Sequence, residues 1–342
     1  MLFDNLMKQA SSGVKPADGT QRAHRAAAAG AVLLAAASLT AVAQAYPEKP
    51  IRLIVPSAPG GANDILARAI GPRLTDVWRQ PVVVDNRAGG SGIIGAALVA
   101  KAKPDGYTLA LASISHIAIA PSVFTQKPYD AERDFTPVIQ LVDQPVVLAV
   151  HPSFPGRTVQ DIVALARNQR EAQIYGSPGI GSVMHLAGEM LQARTGLRLL
   201  HVPYKGGGPA VIDLVGGQVP LLFVGLAPAL PHIRSGRIKA IAVAGVRRAS
   251  VLPNLPTIGE TLPGYQVNFW AGVLAPAGTS STIVSQLNRE IGKILRTPVV
   301  SQQLRDASFD IIAGTPQQFA AAIRDDVRRW VPVVRIADIK PE

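Results

Sequence analysis

Short apolar runs rich in β-branched residues alternate along the chain with longer segments whose apolar residues recur every three or four positions. This alternation is typical of parallel β-sheets whose strands are joined by crossover helices. Because the short runs are almost continuously apolar, we expect strands that are covered on both faces. The predicted strands are 51–57, 81–85, 107–113, 145–152, 172–177, 199–204, 220–225, 238–245 and 269–276. The sequence therefore predicts an α/β protein.

Four of the longer segments carry one apolar stripe each, which predicts helices that pack on a core rather than bind a cofactor. The stripes are Leu66, Ile70, Leu74 and Trp78; Leu186, Met190 and Leu191; Ile283, Leu287, Ile291 and Leu295; and Phe319, Ile323 and Trp330.

The first 45 residues have the pattern of a cleaved secretory signal peptide. Scattered basic residues precede an alanine-rich apolar run, 26–39, and Ala43-Gln44-Ala45 matches an A-x-A cleavage site before Tyr46. A membrane anchor is the alternative, but the run is shorter than a spanning helix requires. Because the chain has no cysteine, a lipid-modified cysteine after the signal, disulfides, a thiol nucleophile and thiolate metal sites are excluded. We expect a periplasmic protein of 297 residues once 45 of the 342 are removed.

The net charge of the whole chain is +11, and removal of four basic and two acidic residues leaves +9. A basic surface can attract anionic metabolites, membranes or nucleic acid. The basic residues are scattered, however, and no basic stripe is interleaved with aromatic residues. We therefore expect no nucleic-acid partner, and most of these charges to be solvated.

Two long strands are each followed by a change of surroundings, at 145–158 and 269–280. If both strands cross between domains, the chain forms two α/β lobes with two hinge strands and a cleft. The first lobe is then discontinuous, comprising residues 46–144 and 271–342, and residues 145–270 form the second lobe. The carboxyl ends of strands and the amino ends of helices would face each other across the cleft.

Three strand-to-helix junctions are rich in glycine and point to anion binding. At "VPSAPGGAND", Gly60 and Gly61 allow a ligand to approach the backbone at the positive end of a helix. Asp64 either stabilises the start of that helix or accepts a hydrogen bond from a ligand or a water molecule.

The second junction, "YGSPGIGSVMHLA", contains Ser177, Gly179, Gly181 and Ser182 before a helix, and His185 within it. Ser182 is a candidate helix cap, and His185 is either a ligand contact or a packed imidazole. The third, "HVPYKGGGPAVIDL", ends a strand with Tyr204 and Lys205. Lys205 either attracts a carboxylate or is ordinary surface charge.

Other site types have weaker support. The glycines of "GGSGIIG" match G-x-G-x-x-G, but they follow the second strand and no acidic residue ends the next one, so a tight turn is favoured over a dinucleotide site. No G-x-S-x-G, Walker A or paired-histidine zinc motif occurs. Ser182 and His185 lie one turn apart, but no third group is suggested that would orient a hydrolase dyad.

Seven stretches, in order, carry a resemblance that covers nearly all of the chain after residue 45. They are "YPEKPIRLIVPSAPGGANDILAR", "VVVDNRAGGSGIIGAALVAKAKPDGYTLALAS", "YGSPGIGSVMHLAGEML", "VPYKGGGPAVIDLVGGQV", "LPHIRSGRIKAIAVAG", "LPNLPTIGET" and "GVLAPAGTSSTIVSQLN". Together they resemble the Bug family, the periplasmic solute receptors of tripartite tricarboxylate transporters.

The resemblance implies a two-lobed type II periplasmic binding protein fold that closes on a small organic carboxylate. It implies a non-enzymatic monomer without cofactor or metal that delivers its ligand to a two-component membrane permease. The implied ligand-binding residues are Ser57, Ala58, Pro59, Gly60, Gly61 and Asp64 at the first junction; Ser113; and Ser177, Gly179, Gly181, Ser182 and His185. We add Tyr204 and Lys205 from the third junction.

One departure from the family concerns Val224 and Gly225, where relatives often have Asp-Asn. Loss of this polar pair would shift the far end of the pocket toward apolar or smaller ligands, so neither citrate nor aspartate is assigned. A receptor that signals to a sensor kinase is the alternative to a transport receptor. An enzyme comes third.

Overall fold

Two β-sheets organise the protein, seen here in a computed structural model that describes residues 46–124, 126–168, 172–336 and 339. The predicted signal peptide, 1–45, lies outside the described residues. The strands are β1 Ile51–Val55, β2 Val82–Asn86, β3 Thr108–Ser113, β4 Phe135–Gln144, β5 Val146–Val150, β6 Gln173–Ser177, β7 Leu199–Pro203, β8 Leu221–Gly225, β9 Lys239–Val243, β10 Phe269–Pro276 and β11 Asp310–Ile311.

Helices connect the strands and cover the sheets. They are α1 Ala62–Trp78, α2 Ile93–Ala100, α3 Val159–Asn168, α4 Val183–Thr195, α5 Gly207–Val215, α6 Leu226–Arg234, α7 Ser281–Arg296, α8 Pro298–Asp306 and α9 Pro316–Ile336. Within the described ranges, no helix is both long enough and apolar enough to span a bilayer.

The strand order is β11-β4-β10-β3-β1-β2 in the first sheet and β7-β6-β8-β5-β9 in the second. We use first lobe and second lobe for the parts of the chain built on these sheets. The chain passes from the first sheet to the second through the single residue Pro145, between β4 and β5, and it returns where β10 begins at Phe269. The predicted two-lobed α/β class is confirmed.

Both sheets are mixed, whereas the alternation of strands and helices had predicted parallel sheets. β10 runs antiparallel to β3 and β4, and β5 runs antiparallel to β8 and β9. β11 also runs antiparallel to β4, and the remaining neighbours, β2-β1-β3 and β7-β6-β8, pair in parallel. After each crossing between the sheets, the first strand that the chain forms is antiparallel to its neighbours. These two strands are β5 in the second sheet and β10 in the first.

Strand β4 is missing from the sequence prediction because Pro137 interrupts it. A proline removes a backbone donor and normally argues against an interior strand. Here Pro137 lies opposite Leu274, next to a register shift in the ladder between β4 and β10. Such an irregularity tolerates the lost hydrogen bond.

The predicted helical stripes pack on the sheets. Leu66, Ile70 and Leu74 of α1 are buried, as are Phe319, Ile323 and Trp330 of α9. The Phe319 ring contacts Trp270 of β10 edge-on at a centroid distance of 5.0 Å. These contacts hold the strands in place, so that the ends of β1, β3, β6, β7 and β8 turn toward one region between the sheets.

Candidate functional site

A cavity of about 370 Å³ lies between the two lobes, which is within the range of small-ligand sites. Its walls come from segments that follow the carboxyl ends of parallel strands in both sheets, where open α/β folds usually bind ligands. The lining residues are 56–57, 61–63, 89–92, 113, 115–116, 123–124, 178–180, 182, 184, 203–207, 224–225, 228 and 269.

Four helices begin at the cavity. The capping residues of α1, α4, α5 and α6 are Gly61, Ser182, Gly206 and Gly225, and all four line the cavity. The first backbone N–H groups of a helix have no partner within it, and they carry a partial positive charge. No Asp or Glu occurs among the described residues that line the cavity, whereas Lys205 does. The electrostatics therefore favour a negatively charged ligand.

The two lobes touch around the cavity, and these contacts use some of the predicted backbone donors. Ala58 N donates to Lys205 O at 2.9 Å, and Val183 N, at the start of α4, donates to Ser115 Oγ at 3.0 Å. Both hydrogen bonds join the first lobe to the second. The donors nearest the cavity on α1 are then those of its own first turn, which begins at Ala62.

Half of the predicted site residues reach the cavity wall. Those that line it are Ser57, Gly61, Ser113, Gly179, Ser182, Tyr204 and Lys205. Those that do not are Ala58, Pro59, Gly60, Asp64, Ser177, Gly181 and His185. The second group surrounds the wall, and its polar members hold the wall in position.

Asp64 stabilises the start of α1. Its carboxylate accepts hydrogen bonds from Gly60 N at 2.9 Å and from Arg68 Nε at 3.0 Å, and the residue is 3% exposed. Burial favours a higher pKa, but the hydrogen bonds from Arg68, Gly60 and Asn86 outweigh it, so the pKa of the Asp64 carboxyl is lowered. Of its two predicted roles, the structural one matches these contacts.

The substitution Asp64→Asn is expected to lower the free energy of unfolding by about 1–2 kcal/mol, because it weakens two charge-assisted hydrogen bonds and removes a favourable charge from a helix start. Urea denaturation measures the loss. Asp161→Asn is the matched control, since Asp161 also accepts from backbone N–H groups at a helix start but is exposed. A smaller loss is expected there, and an equal loss would contradict the role of burial.

Ser182 and His185 do not form a hydrolase dyad. Ser182 Oγ accepts a hydrogen bond from the backbone N of His185 at 3.1 Å and so caps α4. His185 Nδ1 accepts from Gly181 N at 3.1 Å, and its ring stacks on His201 with 3.8 Å between centroids. Ser177 Oγ lies 2.7 Å from His201 Nε2, but Ser177 is 0% exposed and does not line the cavity.

The polar wall of the first lobe includes residues that the sequence prediction missed. Asn63 and His116 are both buried, and Asn63 Nδ2 lies 3.3 Å from His116 Nδ1. Burial lowers the pKa of His116 to about 4, so the ring is neutral at pH 7. A usable signal existed for both residues, because Asn63 lies in "GGAND" and His116 lies three residues after Ser113, the last residue of β3.

The "GGSGIIG" segment forms a tight turn and also lines the cavity. A Cβ on Gly95 would lie 2.8 Å from Arg87 O, and one on Gly92 would lie 2.3 Å from His116 Cδ2. The favoured interpretation of a close-packed turn agrees with these distances. Its position on the cavity wall, through 89–92, was not predicted.

The end of the cavity near the crossings is less polar. Val224, Gly225 and Phe269 line it, so the departure noted at 224–225 lies at the site. Gln144, at the end of β4, occupies the space beside Gly225, since a Cβ there would lie 2.4 Å from Gln144 Oε1. Tyr204 contributes its ring, while its hydroxyl donates to Asp213 Oδ2 at 2.8 Å.

Residues 46–124, 126–168, 172–336 and 339 contain no group of three or more His, Asp or Glu side chains close enough to hold a metal ion. That a ligand binds without metal or cofactor stays a prediction.

Known proteins match most of the chain. The family model described as "Tripartite tricarboxylate transporter family receptor" matches residues 66–339. BugT from Bordetella pertussis (strain Tohama I) is 37% identical over 308 residues, which cover 89% of this chain and 94% of BugT.

Two solved structures contain a named small molecule. Rpa4515 of R. palustris with adipate has a TM-score of 0.83 and 36% identity, covering 87% of this chain and 100% of that chain. MatC (Rpa3494) from Rhodopseudomonas palustris with bound malate has a TM-score of 0.80 and 31% identity, covering 84% and 100%.

Proposed function

Because the chain belongs to the tripartite tricarboxylate transporter receptor family, we propose that it binds one small organic carboxylate in the cleft between its two lobes. That family consists of periplasmic solute-binding receptors, a non-enzymatic kind of protein. The observation that carries the proposal is the convergence of four helix starts on a cavity whose described lining has no acidic side chain. Backbone N–H groups then supply the positive potential for the carboxylate, with Lys205 as the charged side chain.

The size of the cavity favours a small organic acid. Relatives bind adipate in one structure and malate in another, which are both dicarboxylates. In this chain the far end of the cavity carries Val224 and Phe269 and offers no cationic side chain among its described residues. We therefore expect a ligand that places one carboxylate at the helix starts and a less polar group beside Val224 and Phe269.

Ligand binding closes the two lobes about the two crossings of the chain. In this proposal residues 46–144 and 269–342 form the first lobe and residues 145–268 form the second, which moves the predicted second boundary by two residues. The switch between sheets at Pro145 supports the first crossing. Phe269 and Trp270 already pair with β4, so the second crossing lies just before Phe269. A ligand that contacts both lobes stabilises the closed form.

The protein works as an exported monomer. The signal pattern at 1–45 directs it to the periplasm, cleavage follows Ala45, and a two-component permease accepts the closed form and takes up the ligand. The protein releases the acid chemically unchanged, and it requires neither a cofactor nor a metal.

The test is a thermal and calorimetric screen of the purified protein against succinate, malate, adipate, citrate and aspartate, with adenosine monophosphate as the nucleotide control. At 100 times its dissociation constant, a bound acid is expected to stabilise the protein by about 2.7 kcal/mol. Protection by the nucleotide but by none of the acids would overturn the proposal.

A further inference from the structure

The side chain of Asn63 presents a buried oxygen atom that lacks a hydrogen-bond partner among the described residues. Asn63 is the second residue of α1, lines the cavity and is 4% exposed. Most buried polar atoms in proteins have a partner, and leaving one without is unfavourable. The missing partner therefore belongs on whatever fills the cavity.

The orientation of this amide is fixed by its neighbours. Two nitrogen atoms lie close to His116 Nδ1: the backbone N of Ser113 at 3.4 Å and Asn63 Nδ2 at 3.3 Å. A backbone N–H can only donate, so His116 Nδ1 is an acceptor; Ser113 Oγ also lies 3.3 Å from it, and Asn63 presents its NH₂ group to it. Asn63 Oδ1 is then directed away from the imidazole. Close packing of Gly92 against the imidazole keeps the ring in place.

An oxygen acceptor is an unusual element at an anion site, because it repels a carboxylate oxygen and attracts a hydrogen-bond donor. An organic acid can offer a hydroxyl or an ammonium group next to its carboxylate. The described lining contains no Asp or Glu to neutralise an ammonium group, which favours the hydroxyl. Ser57 Oγ, also buried, on the wall and without a partner among the described residues, can donate to the hydroxyl oxygen.

We propose that Asn63 Oδ1 accepts a hydrogen bond from a ligand hydroxyl, so that the site selects hydroxy acids over the same acids without the hydroxyl group. This inference rests on the proposed carboxylate function and adds the residue that determines specificity. A site built to hydrogen-bond a substrate group discriminates against ligands that lack it more strongly than an apolar pocket does.

The test measures dissociation constants by calorimetry for matched pairs: malate and succinate, lactate and propionate, and 2-hydroxyadipate and adipate. In at least one pair, the parent protein is expected to bind the hydroxy acid 10- to 100-fold more tightly, as one well-placed hydrogen bond to a buried partner allows. Asn63→Leu, of similar volume, is expected to reduce the preference to within twofold. Asn254→Leu, at an exposed position outside the wall, is expected to retain it.

The outcomes separate the two proposals. If the parent binds acids but shows no preference in any pair, the role of Asn63 is wrong and the carboxylate function stands. A preference that persists in Asn63→Leu also overturns the role of Asn63. If no acid binds, both proposals fail. Should Asn63→Leu not fold, Asn63→Ser replaces it, and the ratio in the parent protein still decides. Tighter binding of aspartate than of malate would overturn the choice of the hydroxyl.

Discussion

Replacing Gly208 with alanine is expected to weaken the binding of an organic acid by about 100-fold without destabilising the ligand-free protein. Gly208, in the first turn of α5, belongs to the second lobe and faces the start of α1 in the first. A Cβ at this position would lie 2.4 Å from Pro59 O and 3.1 Å from the carbonyl carbon of Gly60. Both atoms are backbone, so no flexible side chain can move aside.

The effect on binding follows because the clash exists only while the lobes touch. A methyl group forced into a packed interface typically costs 1–3 kcal/mol, and the upper end corresponds to about a 100-fold change in affinity. Within the second lobe alone the same change replaces a helical glycine with alanine, which favours the helix by up to about 1 kcal/mol. Affinity and stability are therefore expected to move in opposite directions.

Calorimetry with the best acid from the screen measures the affinity, and urea denaturation without ligand measures stability. The matched control is Gly216→Ala at the end of the same helix, where the nearest atom to a new Cβ is 3.5 Å away. This control is expected to bind like the parent protein. Unchanged affinity in Gly208→Ala would show that the contact seen between the lobes is not needed for binding.

Much of the fold could be predicted because its strands are strongly apolar and its helices carry regular stripes. The strand at 51–55 and the stripe of Leu66, Ile70 and Leu74 depend on local sequence alone. Strand direction could not be predicted, since β10 pairs with residues more than 100 positions away. Strand β4 was missed because the pairing that accommodates Pro137 is a tertiary feature.

The helix starts that line the site could be predicted from the sequence, because the glycine and serine residues there reflect the local requirements of a helix start. Which donors remain for a ligand could not be predicted. Ala58 N and Val183 N are taken by Lys205 O and Ser115 Oγ, and both partners come from the other lobe. The polar wall of Asn63 and His116 likewise joins residues 53 positions apart. The first two contacts depend on how the two lobes meet, and the third depends on how the first lobe folds.

Acidification from pH 7.5 to pH 5 is expected to lower the free energy of unfolding by at least about 4 kcal/mol, through two buried histidines and the half-buried His201. Burial lowers the pKa of His116 to about 4 and that of His185 to about 4. Burial, together with the nearby charge of His185, lowers the pKa of His201 to about 3. In each case the folded-state pKa lies below the unfolded value of 6.5, so protons bind preferentially to the unfolded chain.

The stability contributed by these rings is therefore fully present above pH 6.5 and is lost as the pH falls toward their folded-state pKa values. A group with pKa values of about 4 folded and 6.5 unfolded loses roughly 2 kcal/mol by pH 5. His185 and His201 stack, so protonation of one disfavours protonation of the other, although Glu189 Oε1, 3.6 Å from His185 Nε2, acts in the opposite sense. Carboxyls with lowered pKa values, such as Asp64, lose their contribution mainly below this pH range.

Burial raises the pKa values of Asp143 and Asp326, so acid favours the folded state at those two groups and opposes the histidines. The measurement is urea denaturation at pH 7.5, 6.5, 5.5 and 5.0. A variant is needed that separates the contribution of the histidines from that of the two aspartates. His185→Gln/His201→Gln removes one stacked pair and leaves both aspartates and His116 in place. Because only one of the three rings remains, its stability is expected to fall by about a third as much as that of the parent between pH 7.5 and pH 5. A pH dependence identical to that of the parent would show that the stacked pair does not bind protons on unfolding.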